Sequence, residues 1–234
     1  MCKRKLLLVS SIFLPIATAT AVVLWMQQRR AVALRDDPIF DQIRKVVGIE
    51  PVPEVRDPKT GFLVGGRNST DLLRTLTEIN GRSIADLERD MRPGALSTAG
   101  FLGQDESLIE VLVEDNRYVV DELGLTHQEL AWHLRLLGYL PNKESGFLYK
   151  GRRFRSEYVG YLGSQQSPFE DGTETNNETT IYNLDNGKEM WFSMLVPDMI
   201  ERYGFYEGKG TKYRVDPREI VEVLDFLKDG QQAR

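Results

Sequence analysis

The sequence predicts an α+β protein with an N-terminal transmembrane helix, a helical lobe, and a small, mostly antiparallel sheet followed by a C-terminal helix. Three observations carry this. Leu6–Met26 is an uncharged apolar run. Residues 68–140 place their apolar side chains at helical spacing. Residues 146–216 change to the alternation of period two that belongs to strands.

As a helix rising about 1.5 Å per residue, Leu6–Met26 reaches roughly 30 Å, the thickness of a bilayer's hydrocarbon core. Its polar side chains are Ser and Thr hydroxyls, which can bond back to helix carbonyls. Lys3, Arg4 and Lys5 precede it, Arg29 and Arg30 follow, and Trp25 falls at interface depth. The expected organisation is a cytoplasmic leader (1–5), a signal-anchor (6–26) and a juxtamembrane helix with a proline-rich spacer (27–61). A helical lobe (62–144) and a sheet-containing lobe (145–234) then pack as one extracytoplasmic body. The alternative is a cleaved secretory signal, with Pro15 ending its apolar core and Ala17-Thr18-Ala19 or Ala19-Thr20-Ala21 as the small-residue site. Against cleavage, Val22–Met26 would leave the product an apolar end.

In chain order, Asp36-Asp37-Pro38 opens an amphipathic helix ended by Gly48. Three prolines between Pro51 and Pro58 then favour an extended spacer. Leu72, Leu73, Leu76 and Ile79 predict a helix closed by Asn80-Gly81. Ser83 caps a second helix, which Pro93-Gly94 stops. A long helix is expected over 105–123, and Thr126 with Glu129 forms a capping box for another running to Gly138. Phe154 to Leu162 alternate as a strand, with Lys150-Gly151 turning Phe147–Tyr149 back onto it. Within Thr179–Leu195, Asn186-Gly187 predicts a type I′ hairpin. A short helix at Pro197–Tyr203 and a strand at Lys212–Val215 follow. Asp216-Pro217 then starts a last helix with Ile220, Val221, Leu224 and Leu227 on its buried side.

Charge and cysteine content narrow the function. Of 30 Lys and Arg residues, six lie in residues 1–35, which hold no Asp or Glu. The remainder therefore has 24 bases against 35 acids, a net of −11. Such a body repels phosphate backbones, so nucleic acid is excluded as a partner. The single cysteine, Cys2, precedes the anchor. The body thus has neither a disulfide nor a thiol nucleophile, which fits a bacterial envelope protein held together by its core.

No Gly-x-Ser-x-Gly elbow, His-Glu-x-x-His or Gly-x-Gly-x-x-Gly occurs. The two histidines, His127 and His133, share one expected helix and flank its Leu130–Leu134–Leu137 stripe from opposite sides, so they cannot converge on one metal ion. They read as boundary residues edging the core, with His133 able to pair with Glu129 one turn earlier. Gly204–Thr211 resembles a phosphate loop, but its glycine spacing is one residue short and it follows a helix instead of a strand. Glu170–Glu178 offers oxygen ligands for a hard cation without the spacing of a calcium loop. No cofactor or metal is expected. The expected function is binding of an envelope protein or surface polymer, besides the lipid bilayer at residues 6–26. The contact residues would be Tyr203, Tyr206 and Tyr213, in a glycine-opened aromatic loop. The alternative is a carboxylate-dependent envelope hydrolase or transferase, whose two carboxylates sequence alone cannot single out.

Overall fold

The computed structural model describes residues 52–140 and 144–228. The apolar run Leu6–Met26 and the amphipathic helix expected after Asp36 lie outside the described residues. Among the described residues, no helix is long and apolar enough to cross a membrane.

The described chain is mixed helix and sheet. It opens with a small hairpin, β1 (Val55–Arg56) antiparallel to β2 (Leu63–Val64). Asp57 shapes its turn by accepting from the N–H groups of Lys59 and Thr60. Residues 52–61, expected as a free spacer, are instead fastened to the body. The Val52 N–H donates to Glu201 Oε1 at 2.8 Å, and the Gly65 N–H donates to the Arg202 carbonyl at 2.9 Å.

Helix α1 spans only Thr70–Arg74, capped by Ser69. The helix expected to continue to Asn80 is replaced by a second hairpin, β3 (Glu78–Ile79) with β4 (Arg82–Ser83). Asn80 and Gly81 form its turn at φ 53° and 75°, the positive angles that a two-residue hairpin turn requires. Ile79 is fully buried here, as it would be on a helix, so apolar spacing does not distinguish the two outcomes.

Helix α2 (Ile84–Met91) starts at Ser83, whose hydroxyl accepts from the Asp86 N–H. Helix α3 (Leu108–Asn116) starts at the Ser107 cap, later than expected, and continues as a π-helical turn over Arg117–Glu122. Helix α4 (His127–Gly138) carries the expected capping box of Thr126 and Glu129.

Strands β5 (Phe147–Tyr149), β6 (Arg152–Gln166), β7 (Glu174–Asn183) and β8 (Glu189–Ser193) form an antiparallel meander in sequence order. The β7–β8 turn is not type I′. Only Gly187 takes a positive φ, at 73°. The Asn183 side chain instead accepts from the N–H groups of Asp185 and Asn186, building a longer loop closed by Asn183 N–H to the Lys188 carbonyl at 2.8 Å. Helix α5 (Val196–Tyr203) and helix α6 (Pro217–Val223, capped by Asp216) complete the fold with a 3-10 turn at Asp225–Lys228. Lys212–Val215, expected as a strand, forms no ladder. Its Val215 N–H bonds the Tyr206 carbonyl within one loop.

Helix α4 lies between α5 and the inner face of the sheet, where Phe154, Ile181, Met190 and Phe192 are buried. On that face the Ser156 hydroxyl donates to the Leu137 carbonyl at the end of α4, while the Thr179 hydroxyl donates to the Glu157 carbonyl of the neighbouring strand at 2.9 Å. A single apolar cluster joins both expected lobes.

Candidate functional site

Strand alternation assigns the other face of the sheet to Glu157, Val159 and Tyr161 of β6, Glu178, Thr180 and Tyr182 of β7, and Glu189, Trp191 and Ser193 of β8. These positions are exposed or half-buried. Register sets Val159 opposite Glu178 and Thr180 opposite Trp191. Glu178 therefore lies diagonal to Trp191, within reach of its indole. Glu178 Oε2 accepts from Trp191 Nε1 at 3.2 Å and from the Tyr161 hydroxyl at 2.8 Å. The Tyr213 ring lies 5.0 Å from the Trp191 ring, and the Lys212 ammonium sits 4.8 Å from the Tyr213 centroid. At the other end, Arg155 lies 4.2 Å over the Tyr182 ring, whose hydroxyl donates to Glu157.

The pairing of β6 and β7 slips in the distal half of the two strands, before the chain turns back into the core at Phe169. The ladder jumps from Gly160–Asn177 to Gln165–Thr175, so Tyr161 to Ser164 bulge opposite Asn176 alone. The Asn176 amide holds the Tyr161 carbonyl at 3.3 Å. The bulge leaves Leu162 fully exposed and Tyr158, Val159 and Tyr161 about half exposed. Between the bulge, the Ser97–Phe101 segment and the Glu207–Tyr213 loop is a cleft of about 380 Å³.

Glu207 borders that cleft in an unusual state. Its φ is 66°, a left-handed conformation costly for a residue with a side chain. Arg214 holds it there. The buried guanidinium donates to the Glu207 carbonyl at 2.5 Å and bidentately to Asp115, at 2.7 and 3.1 Å, and also reaches Asp216 at 3.3 Å. Burial pushes the Glu207 carboxyl up to about 8, against the pull of Thr211 and Arg214 toward the anion. The Thr211 hydroxyl lies 2.8 Å from the Gly208 carbonyl and 3.0 Å from Glu207 Oε2. It has one proton for these two acceptors. A protonated Glu207 resolves the shortage by donating to Thr211, which then donates to Gly208.

Of the three tyrosines expected to make contact, only Tyr213 reaches the cleft. Tyr203 is buried, stacked 3.9 Å from Phe169, with its hydroxyl bonded to Asp171. Tyr206 is fully buried and its hydroxyl meets His127 Nδ1 at 2.8 Å. Both rings fill the core and both hydroxyls have internal partners, so neither can contribute to an exposed patch. Sequence reading missed Tyr161, Glu178, Trp191 and Glu207. Gly160 and Gly163 inside the β6 run were a legible sign of the bulge. Nothing local announces the pairing of Glu178 with Trp191.

Both histidines are buried and do not edge the core as expected. Asn116 Nδ2 donates to Thr70, so its Oδ1 faces His127 Nε2 at 3.1 Å as an acceptor. Nε2 thus carries the proton, and Nδ1 accepts from Tyr206. Burial lowers His127 to about 4. His133 meets the Tyr149 hydroxyl at 2.6 Å among Tyr149 and Phe226 rings, and burial with the Lys150 charge lowers it to about 3. Glu129, its expected partner, is engaged in the capping box.

The acidic stretch 170–178 does not converge. Asp171 bonds Tyr203, Glu174 accepts from Ser164, and Glu178 belongs to the aromatic group. Among the described residues, no group of three His, Cys, Asp or Glu side chains could hold a metal ion. In the glycine loop, the N–H groups of Gly204, Phe205, Gly208 and Thr211 all bond carbonyls within the fold, leaving no anion cradle from them. No family model, curated protein or solved structure matches this chain.

Proposed function

We propose that this is a cell-envelope protein, anchored through Leu6–Met26, that acts by binding an envelope protein or surface polymer through the outer sheet face and its cleft. The observation that carries this reading is the aromatic group of half-exposed Tyr161 and partly buried Tyr213, backed by Trp191 and continued by the fully exposed Leu162. Clustered aromatics at the rim of a cleft are the usual source of binding energy at protein surfaces. The core does not need them, since the inner face is already filled. The test is co-purification of the full chain from its own membrane, comparing the parent with Leu162→Asp. Loss of partners from a variant with unchanged thermal stability is expected. Retention of every partner would remove the β6 bulge from the reading.

A second reading, a carboxylate-dependent envelope hydrolase or transferase, is favoured by one observation. Glu207, whose carboxyl burial raises to about 8, borders the same cleft as Glu178, and a carboxyl kept protonated in a cleft is a candidate general acid. Against it, the Glu207 proton is already engaged with Thr211. Glu207→Gln separates the readings: binding survives it, whereas acid catalysis would not.

A further inference from the structure

Resting on the binding reading, we infer that the cleft and adjoining sheet face take a strand of uncharged polysaccharide, with sugar rings against Tyr161 and Tyr213 and ring hydroxyls donating to Glu178. Three features select this class. The first is charge. Glu157, Glu178 and Glu189 lie on this face and would repel a polyanion, whether nucleic acid or acidic glycan. Two cations stand beside them: Arg155, paired with Glu157 and stacked on Tyr182, and the Lys212 ammonium, which lines the cleft next to two rings. The three acids outnumber these two, so the face stays net negative.

The second is hydrogen bonding. Glu178 uses Oε2 for Tyr161 and Trp191, and its Oε1 receives no hydrogen bond from the described residues. A carboxylate oxygen left open at the mouth of a cleft can accept from O–H donors, which adjacent hydroxyls of a sugar supply. Ser97, Asn177 and Ser193 add hydroxyl and amide groups to the lining. The third is shape. The aromatic rings form the rim of an open cleft and not a deep socket. A polypeptide anchored by apolar side chains would need such a socket, whereas the flat C–H faces of sugar rings match exposed aromatic rings.

The experiment presents detergent-solubilised full chain to two printed arrays, one of neutral and anionic oligosaccharides and one of short peptides. Parent, Tyr161→Ser/Tyr213→Ser and Glu178→Gln proteins are compared, with folding of each verified by thermal melting. The inference predicts retention on neutral oligosaccharides, with binding to anionic ones at least about tenfold weaker. Binding should fall at least about tenfold in the tyrosine pair, and less in Glu178→Gln. Retention on peptides alone, lost in the tyrosine pair, would overturn the glycan assignment while leaving the sheet face as the binding surface. Retention that survives the tyrosine substitutions would overturn both. An array with no retained spot overturns the glycan assignment, and envelope co-purification then judges the surface separately. Should the tyrosine pair unfold, Tyr161→Ala alone replaces it, since its ring is half exposed: glycan binding should fall at least several-fold, and undiminished binding by that folded variant would overturn the inference.

Discussion

The two faces of the four-stranded sheet are built from alternate residues of the same strands, yet they are organised by different physics. On the inner face, Phe154, Ile181, Met190 and Phe192 lose essentially all contact with water, and the hydroxyls of Ser156 and Thr179 are satisfied by the Leu137 and Glu157 carbonyls. On the outer face, the aromatic side chains remain half-exposed, and charged groups bond sideways to one another: Glu178 to Tyr161 and Trp191, Glu157 to Arg155 and Tyr182. The inner face supplies stability through burial. The outer face is pre-arranged with little burial, as a surface that meets a partner should be.

The sharpest contrast comes from truncation. Phe192→Ala on the inner face is expected to cost about 3–5 kcal/mol in denaturant unfolding, from lost burial and the cavity left behind. A cost below about 1 kcal/mol would contradict the assignment of that face to the core.

The groups sealed away from solvent impose the pH dependence. Unfolded histidine titrates near 6.5, while His127 and His133 are held at about 4 and about 3. As pH falls below 6.5, the unfolded chain takes up two protons that the fold refuses, and stability is lost. Glu207 acts in the opposite sense. Its unfolded value of 4.5 is raised to about 8, so stability falls as pH rises from 4.5 to 8 and is level above that. These three groups together give a maximum near pH 6.5, with a net loss of about 2 kcal/mol by pH 4.5 and about 1 kcal/mol by pH 8. Glu207→Gln removes the alkaline limb, an effect of about 2 kcal/mol, and steepens the acid limb. Unfolding midpoints between pH 4.5 and 8.5 check both, and a wild-type profile level from 6.5 to 8 would show that Glu207 is not sealed.

The smallest expected effect is on the outer face. Tyr161→Ser and Tyr213→Ser together should change stability by less than about 1 kcal/mol. A larger loss would make these rings structural and erase the contrast.

Sequence legibility followed the same division. Local chemistry was readable: the Ser83 and Asp216 caps, the Thr126–Glu129 box and the Lys150-Gly151 turn all stand where spacing places them. Hairpin rules were misread in both directions. Asn80-Gly81 closes a hairpin where Leu72, Leu76 and Ile79 mimic a helix, while Asn186-Gly187 lies in a longer loop because the Asn183 side chain captures two backbone N–H groups. The site depended on long-range pairing. Tyr206 looked available in a glycine-rich loop, but its partner His127 is 79 positions away. Glu178 and Trp191 became neighbours only through strand register.

If the outer face is the surface that a partner covers, its tyrosines should be shielded wherever that partner is present. The most direct test is tyrosine nitration of the full chain, read by mass spectrometry, in its native membrane and again after purification free of partners. Tyr161 and Tyr213 are expected to react in the purified protein and to be protected in the membrane, while buried Tyr149 and Tyr206 stay unreactive in both. Equal reactivity of Tyr161 and Tyr213 in the two states would contradict it.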